Sequence, residues 1–156
     1  MNNTLKAVLS ISLCFVLGSS GGLLTINEIT GWYATLQKPS FNPPNWLFGP
    51  VWTALYIMMG VSFYLVWRNP PSAARKKALS AFLVQFALNC AWTPVFFAMH
   101  QLGAALVVIV LMWLAIFRTI FLFAPFSKTA SWLLVPYISW VSFATLLNAA
   151  IWWLNK

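Results

Sequence analysis

The chain has 156 residues, of which 62% are hydrophobic and 6% are charged. This composition excludes an ordinary soluble domain, in which about a quarter of the residues are charged. The net charge of +8 comes from nine Lys and Arg residues against a single acidic residue, Glu28. Because most of the basic residues lie at the ends of apolar runs, we interpret them as groups that orient helices and meet membrane lipid, and we predict no nucleic-acid partner.

Five apolar runs are each long enough to cross a bilayer as a helix, which takes about 20 residues. They cover residues 5–26, 46–68, 78–99, 102–123 and 129–153. The first begins like a signal peptide, but its apolar part exceeds the usual length of about 7–15 residues, so we expect it to remain as a helix. The later connections are short, which predicts an all-α bundle of five transmembrane helices forming one domain over residues 1–156.

The basic residues are divided unequally between the two ends of this bundle. Seven lie at the end that holds the N-terminus and two at the other end. The seven are Lys6, Arg68, Arg75, Lys76, Lys77, Arg118 and Lys128, and the two are Lys38 and Lys156. This asymmetry predicts a multi-pass protein, expected in a bacterial cell membrane, with its N-terminus inside and its C-terminus outside. We interpret Arg118 as a snorkelling anchor rather than as part of an ion relay.

Small residues form a strip on the first helix. Gly18 and Gly22 are four residues apart, and such a strip serves either as a dimer seam or as a contact within the bundle. The sequence leaves both interpretations open. Cys14 and Cys90 also lie in apolar runs, where we expect buried thiols rather than a disulfide.

The segment between the first two runs combines prolines with aromatic residues. Pro39, Pro43 and Pro44 prevent a regular helix between residues 27 and 45, and they push the residues before them towards extended geometry. The segment also carries apolar residues that are unusual in a solvated loop: Trp32, Tyr33, Leu36, Phe41 and Trp46. These are either interfacial belt residues or parts of a lid over the bundle, and we favour a long first loop acting as a lid.

Prolines and amides interrupt the later runs. Pro94 and Pro136 leave carbonyl groups without their usual partners, and kinks at these points can open a cavity in the core. Burying an amide in hydrocarbon costs free energy unless the amide faces a hydrogen-bond partner or a ligand. We therefore expect such a partner or ligand for the three amides inside the runs, Gln85, Asn89 and Asn148.

Several of these positions share helix faces by their spacing of three or four residues. Together they fall roughly 8–20 Å below the outer end of the bundle. The positions at this depth are Trp52, Asn89, Trp92, Trp140, Ala144 and Asn148, and Phe96 shares the face of Asn89 and Trp92. They form either one binding site beneath the first loop or a set of interhelical amide contacts and space-filling rings, and the spacing leaves these alternatives equally open.

The ionisable residues are too few for a conventional active site. The sequence has no Asp, and it places Glu28 in the first loop and His100, its single His, at the outer end of the third run. We therefore expect no acid/base pair, no metal cluster and no activated nucleophile, and a solvated His100 rather than an axial haem ligand. The absence of an ionisable residue in the middle of a run gives no support to coupled active transport.

The chain resembles the translocator protein family, which includes TspO, the tryptophan-rich sensory proteins and the peripheral-type benzodiazepine receptors. Three segments carry the resemblance: WYATLQKPSFNPPNWLFGPVWTALYIMMG, QFALNCAWTPVFF and VPYISWVSFATLLN. It implies a five-helix bundle, commonly a homodimer, that binds porphyrins, sterol-like lipids and benzodiazepine-type ligands in a cavity closed by the first loop. It also implies tetrapyrrole transport, scavenging or sensing, with porphyrin as a ligand and no required cofactor.

The resemblance assigns ligand-binding roles to Tyr33, Pro43, Trp52, Asn89, Trp92, Trp140 and Ala144. These residues largely coincide with the converging positions, which favours a site over space filling. Trp52 and Trp140 match two tryptophans associated with light-dependent porphyrin breakdown in some bacterial members, so they would be catalytic if this alternative function applies. The last helix lacks the Tyr of the sterol pattern in animal members, which puts sterol recognition there in doubt.

Overall fold

The computed structural model describes residues 2–156, with all their side chains except that of Leu24. These residues form helices and no strand. The helices are α1 (Asn3–Thr30), α2 (Trp32–Thr35), α3 (Phe48–Trp67), α4 (Ala73–Thr93), α5 (Leu102–Phe123), α6 (Lys128–Leu133) and α7 (Val135–Leu154). A 3₁₀ turn, Asn45–Leu47, precedes α3, and a π-helical turn, Pro94–Ala98, follows α4.

Five segments of the described chain are long and apolar enough to cross a membrane, which confirms the predicted fold class. They are α1, α3 with its preceding turn, α4 with its following turn, α5, and α6 with α7. Large apolar side chains cover the outside of the bundle; Leu23 is 76% exposed and Phe121 is 63% exposed. Such a surface suits hydrocarbon and not water, so the chain is an integral membrane protein.

The helix ends differ from the predicted ones. α1 continues to Thr30, and Gly31 is its C-cap. The prediction that the loop begins at residue 27 is therefore wrong. Residues 27–30, three of which are polar, remain helical because no helix breaker precedes Gly31. α4 begins at Ala73, earlier than predicted, because Ser72 caps it by accepting a hydrogen bond from the Arg75 N–H.

Both predicted proline interruptions are present. At Pro94 the helix widens, since the Met99 N–H donates to the Pro94 carbonyl at 2.9 Å, five residues back. The last span breaks at Leu134, and Pro136 then lies in the first turn of α7, where its missing N–H costs little.

Consecutive membrane spans pack against one another, and α1 also contacts α4 while α3 contacts α6. Buried residues form two clusters. One lies towards the N-terminal end and includes Met59, Phe82 and Ile116. The other includes Tyr33, Phe96 and Leu147, so the first loop contributes directly to the core.

Glycines allow α1 and α3 to approach closely. A Cβ atom at Gly60 would lie 2.6 Å from the Ile11 Cα, and one at Gly18 would overlap the Tyr56 ring. A Cβ at Gly22 would meet nothing within 4 Å. Gly18 therefore makes a contact within the bundle, whereas Gly22 does not.

Three other residues of the spans were singled out by sequence. Cys14 is buried and Cys90 is half-buried, and both are free thiols. Gln85 is buried, yet neither polar atom of its amide has a hydrogen-bond partner in the described structure. Its burial stabilises the core less than burial of an apolar side chain would.

Candidate ligand-binding site

A cavity of about 590 Å³ lies in the half of the bundle that holds the first loop and the C-terminus. We call this half the loop end. The cavity walls come from α1, α3, α4 with its π-helical turn, α5 and α7, and loop residues such as Asn45 and Trp46 also line it. Its volume falls within the range of roughly 300–1,000 Å³ that is typical of small-molecule sites.

Six of the seven ligand-binding residues implied by the resemblance line this cavity. They are Tyr33, Trp52, Asn89, Trp92, Trp140 and Ala144. Phe96 and Asn148 line it as well, so the predicted helix faces meet in one place. Pro43 is not among the lining residues; its carbonyl accepts a hydrogen bond from the Asn42 side chain at 3.1 Å. The binding roles themselves stay predictions.

A second set of aromatic rings supports the indole rings of the cavity. Trp52 stacks on Tyr56 with ring centroids 5.4 Å apart and meets Tyr137 edge-on at 6.3 Å. Trp140 lies edge-on to Phe48 at 5.8 Å. These are the offset and edge-to-face arrangements that aromatic pairs prefer, so the supporting rings hold the indoles in place and limit their collapse into the cavity.

Asn89 joins three helices at the cavity wall. Its Oδ1 accepts a hydrogen bond from the Tyr56 hydroxyl at 3.3 Å, and its Nδ2 donates to the Tyr137 hydroxyl at 3.1 Å. Both tyrosines are buried. The amide therefore satisfies two hydroxyl groups that would otherwise be costly to bury.

Asn148 makes a similar connection from α7. Its Oδ1 accepts a hydrogen bond from Trp92 Nε1 at 3.1 Å, and its Nδ2 donates to the Leu102 carbonyl at 3.0 Å. The same amides thus join helices, as one of the two alternatives predicted, and also line the cavity, while ligand binding there stays a prediction.

Trp140 has an unmatched polar atom. Its Nε1 is covered by protein atoms and has no hydrogen-bond partner among the residues that the structure describes. A buried donor without an acceptor costs free energy, and an acceptor on a ligand would reach this one only if the ring turned. The periodicity that predicted the position of Trp140 carries no signal for this feature.

Tyr33 brings the first loop into the cavity wall. It is 5% exposed, its ring lies 5.7 Å from that of Phe97, and its hydroxyl donates to Asn42 Oδ1 at 2.9 Å. Burial raises the pKa of the Tyr33 hydroxyl above its ordinary value. The hydroxyl therefore stays protonated at neutral pH and keeps its role as a donor.

The loop is also attached to the end of α7. The Gln37 N–H donates to Asn155 Oδ1 at 2.9 Å, and Asn155 Nδ2 donates back to the Gln37 carbonyl at 2.9 Å. A single side chain thus pairs with both backbone groups of one loop residue. Sequence reasoning missed this contact, because the two residues are 118 positions apart.

His100 is 41% exposed, in line with the expectation of a solvated side chain, but it also makes a contact that the sequence did not predict. His100 Nε2 lies 3.0 Å from Glu28 Oε2, and the imidazole stacks on Trp32 with ring centroids 4.0 Å apart. His100 adopts a positive φ of 54° directly after the π-helical turn, which turns its ring back towards α1. The cavity-lining residues include neither Glu28 nor His100, so the pair lies outside the cavity wall and joins the end of α1 to the segment that precedes α5.

Among residues 2–156, no three His, Cys, Asp or Glu side chains lie close enough together to hold a metal ion. The cavity wall consists mainly of aromatic rings, aliphatic side chains, small residues and amides. This arrangement can accommodate a flat apolar molecule and offers few polar contacts to it.

Known proteins are similar in sequence to this chain over most of its length. The sequence model of the TspO/MBR family matches residues 10–154. A tryptophan-rich protein TspO of Chlorobaculum tepidum is 44% identical, over 97% of this chain and 96% of the relative, and one of Archaeoglobus fulgidus is 42% identical, over 98% and 99%. The human translocator protein is 42% identical, over 89% of this chain and 81% of the relative. The chain therefore belongs to the TspO/MBR family.

Proposed function

We propose that the loop-end cavity binds a tetrapyrrole of the protoporphyrin type and that the chain acts in tetrapyrrole transport, scavenging or sensing. The observation that carries this proposal is the wall itself, in which Trp52, Trp92 and Trp140 border one cavity of about 590 Å³. A flat macrocycle offers each of these rings a face for offset stacking. The family resemblance, which implies porphyrin ligands, supports the same conclusion.

The proposed roles follow from the contacts of each residue. Trp52 and Trp140 flank the macrocycle from α3 and α7. Asn89 contributes a polar edge, but its amide is already engaged by two tyrosine hydroxyls. Pro43, which does not line the cavity, acts through the stiffness that it gives to the loop.

A second candidate function is light-dependent oxidative degradation of the porphyrin. It is favoured by the presence of two indole rings, those of Trp52 and Trp140, in the wall of the same cavity. Indoles can exchange electrons with an excited macrocycle, and dissolved oxygen would serve as the oxidant. The chain would then be an enzyme that needs no conventional acid/base group.

Illumination separates the two functions. We expect the purified chain to bind protoporphyrin in the dark, seen as a shifted Soret band, and to bleach it in light no faster than detergent alone. Rapid loss of the Soret band with a defined product, abolished by Trp52→Phe, would instead establish degradation. No dark binding at all would contradict both.

We propose that the first loop acts as a lid over this cavity. Tyr33 and Trp46 line the cavity from the loop, and the paired hydrogen bonds between Gln37 and Asn155 attach the loop to the end of α7. Loss of these two bonds should favour opening, because each contributes about 0.5–1.5 kcal/mol.

Asn155→Ala is therefore expected to speed protoporphyrin dissociation by about tenfold, as measured by stopped-flow mixing with an excess of an acceptor for porphyrin. Gln37→Ala is the matched control, since the contact uses only the backbone of Gln37. That variant should release ligand at the wild-type rate. Equal rates for Asn155→Ala and the wild type would show that this attachment does not gate the cavity.

A further inference from the structure

A second cavity, of about 870 Å³, opens at the end of the bundle opposite the loop. We call it the basal groove. It lies between α1, the end of α3 and the start of α4, and it shares no lining residue with the loop-end cavity. Its walls are mainly apolar: Leu13, Leu17, Phe63, Leu79, Leu83 and Phe86.

Positive charges surround the mouth of the basal groove. Arg75 and Lys76 line it. Lys6 lies nearby, with its Nζ 6.0 Å from the ring centroid of Trp67, which also lines the groove. The sequence offers no acid to neutralise these charges, because its one acidic residue, Glu28, pairs with His100 at the loop end.

Arg75 is held in position at this mouth. Its Nη1 donates to the Trp67 carbonyl at 3.1 Å and to the Asn69 carbonyl, so it caps the end of α3. Its Nε is buried and has no hydrogen-bond partner within the described part of the chain. A guanidinium that lines an apolar groove and has no carboxylate counterion is the arrangement that an anionic oxygen would complete.

We propose that the basal groove is a binding site for an anionic phospholipid, with an acyl chain against the apolar walls and the phosphate at Arg75 and Lys76. The headgroup supplies the missing negative charge, and the groove shields the chain from neighbouring lipid. A second copy of this chain would fit less well, because it would bring another basic end and no acid to face this one.

The test is native mass spectrometry of the full chain in detergent, titrated with phosphatidylglycerol and with phosphatidylcholine of the same acyl composition. We expect one phosphatidylglycerol to bind about tenfold more tightly than phosphatidylcholine. Lys76→Glu should remove this preference, since it reverses a charge at the mouth on an exposed side chain. Arg75→Gln should act in the same direction, although it also removes the cap of α3.

Lys128→Glu is the matched control, because it makes the same charge change at the same end of the bundle on a residue outside the groove. It should keep the preference for phosphatidylglycerol. Equal affinity for the two lipids, or an equal loss of preference in Lys76→Glu and Lys128→Glu, would overturn the proposal. A stable dimer that excludes lipid from the groove would overturn it as well.

Discussion

Trp140→Ala is expected to weaken protoporphyrin binding by roughly 30- to 150-fold, which corresponds to a loss of about 2–3 kcal/mol. The substitution removes a ring that lines the cavity and that Phe48 and Phe143 hold in place. The ligand would lose both a stacking partner and a large apolar contact. The dissociation constant is best measured from the Soret shift, which does not depend on the number of indoles in the protein.

Two further variants show which part of Trp140 matters. Trp140→Phe keeps an aromatic ring and removes the unpartnered N–H, so we expect it to bind less than about tenfold more weakly than the wild type. Trp132→Ala removes a ring that is 71% exposed and lies outside the cavity, and it should bind as the wild type does. Wild-type affinity in Trp140→Ala would show that this indole does not contact the ligand.

The five spans were predictable because a bilayer imposes a length and a composition on each helix. The ends of the helices could not be predicted in the same way, because the bilayer does not constrain length or composition outside the hydrocarbon. Residues 27–30, three of which are polar, are still helical, and α1 ends at Thr30 with Gly31 as its cap. The break in the last span was anticipated from Pro136, but its position at Leu134 depends on how the backbone accommodates the proline ring.

The lining residues on helices were predictable because spacings of three and four residues place side chains on one face. The partners of these residues were not, because they depend on how each helix is rotated against the next. Asn89 finds Tyr56 and Tyr137, which are 33 and 48 positions away. Among residues 2–156, Trp140 Nε1 finds no hydrogen-bond partner, and neither outcome has a signature in local sequence.

Loop residues were the least predictable, because a loop has no period that assigns a side chain to a face. Pro43 is implied by its motif alone, and it lies outside the cavity lining. The contact between Glu28 and His100 spans 72 positions and depends on the positive φ of His100 after the π-helical turn. No pattern in the sequence predicts that Glu28 and His100 are in contact.

The GxxxG strip illustrates how one motif can serve two purposes. Gly18 packs against Tyr56 within the bundle, while Gly22 has open space at its Cβ position and lines the loop-end cavity. The strip therefore does not need a second chain to account for its small residues. The homodimer stays a prediction from the family resemblance.

The location of the ligand is the central claim, and Ala144 offers the most direct access to it. Ala144 lines the cavity from α7, one helical turn beyond Trp140. A phenyl ring added here would project into space that the proposed ligand occupies. Because the cavity is already open, the added ring should destabilise the bundle less than the roughly 1–3 kcal/mol typical of overpacking a filled core.

The decisive measurement is a dark protoporphyrin titration of the wild type, Ala144→Phe and Ala104→Phe, followed by the Soret shift at equal protein concentration. Ala104 is the control, because it is exposed on α5 and does not line the cavity. We predict saturable binding by the wild type and Ala104→Phe, and a loss of at least about a hundredfold in affinity for Ala144→Phe, since the macrocycle and the new ring cannot occupy the same volume. Wild-type affinity in a folded Ala144→Phe variant would place the ligand elsewhere and contradict the account.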